Sequence, residues 1–363
     1  MLIVLLVFVS CSKTKEIRAS GKVLKVIVLV PLSKKDKKLG VQSLSGLKVA
    51  KKMQKYLKNG DEIVFDIINT DEKMFMKTFK ESVLKDKPYL VISFLSSDDI
   101  LAIKDELKKY HLPVISTLAT NNNISDKKNC FVQVCIDNHK QSLVAAHYIR
   151  DEKFMKHVGI IYDRSSIYST ELAKEFRDIF KSLNGEIDFF FDIKDKDTLK
   201  DINASDTEII FNSIDSTMTT KIMKMLKNKQ WHVEMLSTDG LYSENLQANK
   251  KDIGLYNGTY VIEYFSHDIY KNKQRKLFEK LLAKDGYKES SFAFVAYDGY
   301  KLVAYAFETC PNYNKECIEA VLQDSETIEG ISGNFSMIDG KARREVYVDK
   351  IEDGMLKKEV IIY

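Results

Sequence analysis

Small hydroxyl and carboxylate side chains stand just beyond a series of apolar, strand-like runs, where a chain leaving a sheet presents them to solvent. Leu95 closes one such run and is followed by Ser96-Ser97-Asp98-Asp99, which forms a natural N-cap for the next helix. Hydroxyls and first-turn amides there can grip an anion, and capping by itself is the plainer reading of either serine. The run Val114-Ile115-Ser116 passes into Thr117-Leu118-Ala119-Thr120-Asn121, again small and hydrogen-bonding. Further along, Tyr162-Asp163 leads to Arg164-Ser165-Ser166-Ile167-Tyr168, an aromatic wall beside a helix start, and Met235-Leu236 ends in Ser237-Thr238-Asp239-Gly240, a carboxylate at a turn. An anion grip in one half of the chain and a carboxylate in the other suit a zwitterion.

Catalytic constellations are missing from the sequence. There is no Gly-x-Ser-x-Gly nucleophile turn, no phosphate loop ending in Gly-Lys-Ser/Thr, and no Gly-x-Gly-x-x-Gly after the first strand. Only 6 histidines occur. His139 and His147 lie eight apart, outside the adjacent-turn spacing of a zinc helix, and read as surface or packing residues. No metal or cofactor is expected. With 56 basic and 52 acidic residues the formal charge is +4, and both signs are interspersed, so nucleic-acid binding is not expected.

The elements that must position these residues alternate as strand and helix. Leu24 to Val30 is β-branched and nearly all apolar, as a strand covered on both faces should be. Leu47, Ala50, Met53 and Leu57 then recur at helical spacing, and Gly60-Asp61 is expected to end that helix before the strand Ile63 to Ile68. Met76, Phe79 and Val83 stripe a helix before the strand Tyr89 to Leu95; Ile100, Ile103 and Leu107 stripe another before Pro113 to Ser116. The series restarts near Asp137, with a helix from His139 to Arg150, the strand Val158 to Tyr162, a helix around Leu172 to Leu183, the strands Ile187 to Ile193 and Glu208 to Phe211, a helix from Thr217 to Lys227 and the strand Glu234 to Ser237. Two helical patterns, Tyr270 to Lys284 and Phe292 to Glu308, precede a strand-rich tail with turns at Asp339-Gly340 and Asp353-Gly354. The fold class is α/β with parallel sheets, and two consecutive sets in 363 residues imply two lobes.

At the amino end, the apolar run Leu2 to Val9 stops at Ser10-Cys11-Ser12-Lys13. It is too short for a membrane span, which takes ~20 apolar residues. The segment resembles a bacterial lipoprotein signal, with Cys11 carrying the lipid and residues 12–22 as tether. A hydrophobic tail with a buried cysteine is the plainer alternative. Of the other cysteines, Cys130 and Cys135 sit five apart on an expected strand and point to opposite faces, so they read as separate core thiols. Cys310 and Cys317 bracket a Pro/Asn turn between helices, and a disulfide is favoured there.

In their order and spacing, several segments resemble the branched-chain amino-acid binding proteins of ABC importers, in the type I periplasmic binding protein family. These are Val28-Leu29-Val30-Pro31-Leu32-Ser33, Leu39-Gly40, Ser45-Gly46-Leu47-Lys48-Val49-Ala50, Phe294-Val295-Ala296-Tyr297-Asp298-Gly299-Tyr300 and Ile328-Glu329-Gly330-Ile331-Ser332-Gly333-Asn334-Phe335. The resemblance covers nearly the whole chain after the tether. It implies that a ligand carboxylate is held by Ser96, by Thr120 and by the Leu118 backbone, with Ser97 beside them. It also implies that Asp239 pairs the ligand ammonium and that Tyr168 closes over the ligand. A further family aromatic falls near Asp215, where that wall is missing. This departure, with the charged loop Lys34-Lys35-Asp36-Lys37-Lys38, speaks against an aliphatic side-chain specificity; the lysines would favour an acidic ligand, although a charge run is more often a solvated loop.

The expected organisation is thus a signal and lipidated cysteine over 1–11, a tether over 12–22, one lobe from 23–137 plus 266–327 and a second from 138–265 plus 328–363. Three crossovers near 137, 265 and 328 would join them. The implied function is a lipid-anchored, extracytoplasmic solute-binding protein that performs no reaction and hands a small ligand to an inner-membrane ABC permease. A ligand sensor on the same fold is the first alternative, and an α/β hydrolase, which lacks any nucleophile and base, the second.

Overall fold

A computed structural model describes residues 21–195, 206–239, 241, 252–265 and 272–362. The expected signal segment with Cys11, residue Gly240 and the start of the helix expected from Tyr270 lie outside them. Strand β1 (Val23–Val30) is buried from Val26 to Val30, which is why its sequence is a continuous apolar run. It pairs in parallel with β2 (Glu62–Asn69) on one side and β3 (Leu90–Ser93) on the other. Beyond β3 come β4 (Val114–Ser116) and β5 (Phe131–Gln133), also parallel. The second sheet repeats the scheme: β6 (His157–Tyr162) lies between β7 (Glu186–Asp192) and β8 (Ile209–Asn212), followed by β9 (Glu234–Ser237) and β10 (Tyr260–Glu263). In both sheets the strand order reverses beside the first strand of the set, and the crevice at such a reversal is where open α/β sheets bind ligands.

The helices over these sheets are α1 (Lys37–Met53), α2 (Phe75–Asp86), α3 (Ser97–Lys108), α4 (Asn138–His147), α5 (Ile167–Ser182), α6 (Ser216–Asn228), α7 (Lys273–Lys284), α8 (Ser291–Thr309) and α9 (Lys315–Gln323). Helix α1 packs against α8, far along the chain. Gly46 permits it, because a Cβ there would stand 2.1 Å from the Ala293 carbonyl oxygen. No helix of the described residues is long and apolar enough to cross a membrane.

Three expectations are corrected. Helix α1 begins inside the lysine run and ends at Met53, four residues before Leu57. The chain departs there because the Gln54 carbonyl accepts the Tyr300 hydroxyl, while Leu57 turns inward, closed by Leu57 N–H to Asp61 O at 2.9 Å. Secondly, β5 covers only Phe131–Gln133, so strand alternation does not govern Cys130 and Cys135. Both are nonetheless buried and free.

The third correction concerns the carboxyl-terminal division. Strands β11 (Ile328–Glu329), β12 (Asn334–Ile338) and β13 (Lys341–Arg344) extend the first sheet, not the second, with Lys341 registered on Gln133 of β5. A buried carboxylate on α8 holds them there. Asp298 accepts from the Ile331 N–H at 2.7 Å, from the Ser332 hydroxyl, and from Arg344 at 2.5 Å. The last crossover therefore follows Arg344 instead of lying near 328, and only β14 (Val346–Glu352) and β15 (Met355–Ile362) join the second sheet. The Asp-Gly turns do make hairpins, with φ of 50° and 73° at Asp339 and Gly340 and 51° and 76° at Asp353 and Gly354. Cys310 and Cys317 form the disulfide, with Cα atoms 5.6 Å apart.

Candidate ligand site between the lobes

The carboxyl ends of both sheets face one another across a cavity of about 340 Å3. Ser96, Ser97, Leu118, Thr120, Tyr168, Asp215 and Asp239 all line it, so the structure brings every expected ligand contact to one place. Their convergence follows from capping. Ser96 caps α3, Ser166 caps α5 and Asp215 caps α6, each accepting an N–H from its own first turn, and Ser290 does the same for α8. Several helix N-termini, each carrying partial positive charge, are thereby turned toward the cavity.

The individual side chains are committed to different degrees. The Ser96 hydroxyl accepts the Asp99 N–H at 3.4 Å and donates to the Asp99 carboxylate at 3.0 Å, so it serves its own helix. Ser97 is buried, and its oxygen accepts from the N–H groups of Thr120 and Asn121, both at 3.2 Å. That pair of bonds pins the loop after β4 against the start of α3. The Thr120 hydroxyl donates to Asn138 at 2.7 Å, tying the same loop to the first crossover. Ordinary helix geometry leaves the α3 first-turn amides without a carbonyl one turn back, which is the chemistry an anion needs. Asp215 is exposed at the rim and accepts the Met218 N–H at 2.9 Å.

Across the cavity, Tyr168 bonds Thr238 at 2.8 Å and donates to Asp239 at 3.2 Å. Burial pushes the Asp239 carboxyl up to about 7, a rise that the Tyr168 and Gln141 contacts only partly offset. No salt bridge to Asp239 is found among the described residues. Burial and then the Asp239 charge raise the Tyr168 phenol well above its ordinary value, so it remains a donor. A half-buried carboxylate without a cation, opposite a set of helix N-termini, fits a molecule carrying both charges.

Local reading of the sequence missed several contributors. Asp98 reaches across the cleft and accepts from the Ser166 hydroxyl at 2.9 Å and the Ile167 N–H at 2.5 Å, so a carboxylate of one lobe caps a helix of the other. Asn122 adds a bond to Glu175 at 2.8 Å, and Asn121 one to Glu171. Lys35, Lys38, Leu39, Gln42 and Phe292 also line the cavity. The lysine run is therefore part of the wall as well as a solvated loop. Gly40 offered a signal, since a Cβ there would stand 1.9 Å from the Pro31 carbonyl oxygen, and this close approach sets α1 against the end of β1. His139 and His147 pair on the surface with Glu175 and Asp151 at 2.7 and 2.6 Å.

Two α/β lobes thus meet at a cavity lined by hydroxyls, carboxylates and helix N-termini, the arrangement of a site that holds a small ligand. The sequence profile of the periplasmic binding protein family matches residues 24–355, and the chain belongs to that family, whose members bind and do not catalyse. Its fold is the type I periplasmic binding protein fold. Among solved structures, a leucine binding protein from Thermotoga maritima superposes with TM-score 0.81 at 20% identity, covering 93% of this chain and 98% of that one. A branched-chain amino-acid transporter substrate-binding protein from Streptococcus pneumoniae, in complex with isoleucine, gives 0.77 at 21% identity, over 93% and 98% of the two chains. A solute-binding protein of an ABC transporter from R. palustris, in complex with 4-hydroxybenzoate, gives 0.80 at 18% identity, over 94% and 97%. These likenesses establish the fold. No curated protein is significantly similar in sequence.

Proposed function

We propose that the chain captures an α-amino acid or a closely related zwitterion between its lobes and delivers it to an ABC permease, held to the membrane by a lipid on Cys11. The observation that carries this reading is Asp239, an acid raised to about 7 by burial and facing the cavity without a cationic partner among the described residues. A ligand ammonium would supply the missing charge, and the carboxylate of the same molecule would meet the first-turn amides of α3 and the loop at Leu118 and Thr120. Tyr168 would cover the pair, and closure of the lobes would remove both charges from water. Two of the structural neighbours are a leucine binding protein and an isoleucine complex, which supports an amino-acid ligand. The lipoprotein-like segment ending at Cys11 supports anchoring on the extracytoplasmic side.

The test is calorimetric titration with a panel of α-amino acids and of aromatic acids lacking an amine. An α-amino acid should bind, and Asp239→Ala should weaken it by about 2–4 kcal/mol, because the ammonium is left buried and unpaired. Binding of an amine-free aromatic acid in preference to every amino acid, or an unchanged affinity in the variant, would defeat the reading. Palmitate labelling that depends on Cys11 tests the anchor separately.

A further inference from the structure

At the pole of the first lobe away from the cavity, Asn59, Asp61 and Tyr313 grip the chain just before β1. The Lys22 N–H donates to Asp61 at 2.7 Å, and the Lys22 carbonyl accepts the Glu62 N–H at 3.0 Å. Asp61 also accepts the Tyr313 hydroxyl and the Asn59 side-chain amide, the latter at 2.9 Å, and the same amide lies 2.6 Å from the Tyr313 oxygen. The Lys22 ammonium stands 5.8 Å from the centre of the Tyr313 ring. A Cβ on Gly21 would fall 1.9 Å from an Asp61 carboxylate oxygen, a close passage that glycine permits. Strand direction fixes where this grip lies: the carboxyl end of β1 faces the cavity, and its 8 residues put the amino end about 26 Å away.

Tyr313 comes to Asp61 from 252 residues along the chain, and the turn it sits in brings it there. The Cys310–Cys317 disulfide ties the end of α8 to the first turn of α9. Between the cysteines, Asn312 and Tyr313 hold φ of 55° and 58°, left-handed values that residues with a Cβ keep only where their surroundings impose them. The disulfide is the covalent part of those surroundings. The Tyr313 ring also packs edge-on against Tyr89 and Phe307, at 5.8 and 5.7 Å between centroids. Cys310, Asp61 and Tyr313 share the wall of a surface cavity of about 370 Å3, where a small reductant can approach. We propose that this turn is a redox-sensitive clasp on the root of the amino-terminal tether: the disulfide sets Tyr313, Tyr313 sets Asp61, and Asp61 holds Lys22 at the start of β1. The grip acts on the first lobe alone and leaves closure over the ligand to the second. That the gripped segment leads to a membrane anchor rests on the reading of Cys11 above; the clasp itself does not.

The experiment is hydrogen–deuterium exchange of the full chain, read by mass spectrometry with and without dithiothreitol and repeated on Tyr313→Phe, which keeps the ring and the disulfide. Dithiothreitol gives two electrons and two protons to the S–S bond, becoming a cyclic disulfide and leaving two thiols, which a thiol count verifies. Reduction should speed exchange across residues 22–26 about tenfold or more, while the cavity segments 93–99 and 116–121 keep their rates. Tyr313→Phe should speed 22–26 about 2- to 10-fold with the disulfide intact. Reduction should then add less to the variant than to the natural chain, because both act through one hydroxyl. Unchanged exchange at 22–26 on reduction, an equal rise over the whole first lobe, or additive effects in the variant would overturn the clasp. The local change in a chain that carries no lipid on Cys11 would uphold the clasp and overturn only the anchor.

Discussion

Asp239 gives the proposed site a pH signature that can be worked out in advance. The unligated carboxyl, at about 7 instead of its ordinary 3.8, takes up a proton as the pH falls through neutrality. A ligand ammonium needs the carboxylate, so binding below that point must expel the proton first. An amino acid's own charges stay nearly fixed between pH 5 and 7. One-proton linkage then makes the apparent Kd rise toward tenfold for each pH unit below 7, about 50-fold in all between pH 7 and pH 5. The sign for the unligated protein is opposite. An acid raised on folding binds its proton more tightly in the native state, so stability declines as pH rises from 3.8 toward about 7. Calorimetry at pH 5, 6, 7 and 8, in two buffers of different ionisation heat, reads both affinity and protons. Release should approach about one proton at pH 5 and about half a proton at pH 7. In Asp239→Asn the profile should be flat and the affinity low throughout. A natural chain with constant affinity from pH 5 to 8, or a variant that keeps the slope, would refute the reasoning.

Other perturbations reach different parts of the molecule. Asp298→Ala leaves the Arg344 side chain, 2% exposed, without its carboxylate and frees the β11–β13 segment from α8; urea unfolding at pH 7 should show a loss of about 3–5 kcal/mol, and a loss under about 1 kcal/mol would contradict the pinning role. Asp98→Ala removes the carboxylate that caps α5 from the opposite lobe. The ligand-free chain should then show a larger radius of gyration by small-angle scattering and bind ligand about 5- to 100-fold more weakly, whereas unchanged scattering would count against an interlobe latch. Glu263 is buried at the end of β10, where it accepts the Ser291 hydroxyl at 2.8 Å across the second crossover, and burial holds its carboxyl well above 4.5. Its contribution therefore weakens as pH rises from 4.5 toward its native value, and Glu263→Gln, which mimics the protonated acid, should be at least as stable as the natural chain at pH 8 by thermal melting; a large loss there would show that the ionised form is the stabilising one.

What the sequence discloses about this site, and what it conceals, divides along the range of the interactions. Ser96, Ser97, Thr120 and Asp239 stood out because each lies within a few residues of the end of an apolar strand, and Tyr168 because it opens the helix after one; the end of such a run is a local property. The alternation of elements was legible for the same reason, down to the two Asp-Gly hairpins. Asp98 was read only as part of a cap, because its partners on α5 lie 68 and 69 residues away and nothing nearby in the chain announces them. The start of α1 was hidden by its lysines, which suggest a loop until Gly40 is seen to bring the helix against Pro31. The hairpin Asn334–Arg344 was equally visible as a hairpin, yet pairing within it says nothing about which sheet it joins. That choice fell to one buried carboxylate, Asp298, acting over 46 residues on Arg344.

The same distinction resolves the double reading of Ser96. Capping and ligand binding looked like rival uses of one hydroxyl, and the structure assigns that hydroxyl to Asp99. An Ncap side chain reaches the N–H of the second or third helical residue, so the amides nearest the tip are the ones it leaves over. Capping thus prepares an anion site without occupying it: the serine fixes the first turn, and the backbone, which no side-chain pattern reveals, remains to meet a carboxylate. By this argument Ser96→Ala should weaken ligand binding through a loosened α3, and Ser96→Asp, which caps equally well but adds a negative charge beside the same amides, should weaken it more. Equal losses in the two variants, measured by calorimetry at pH 7, would return the anion contact to the hydroxyl itself.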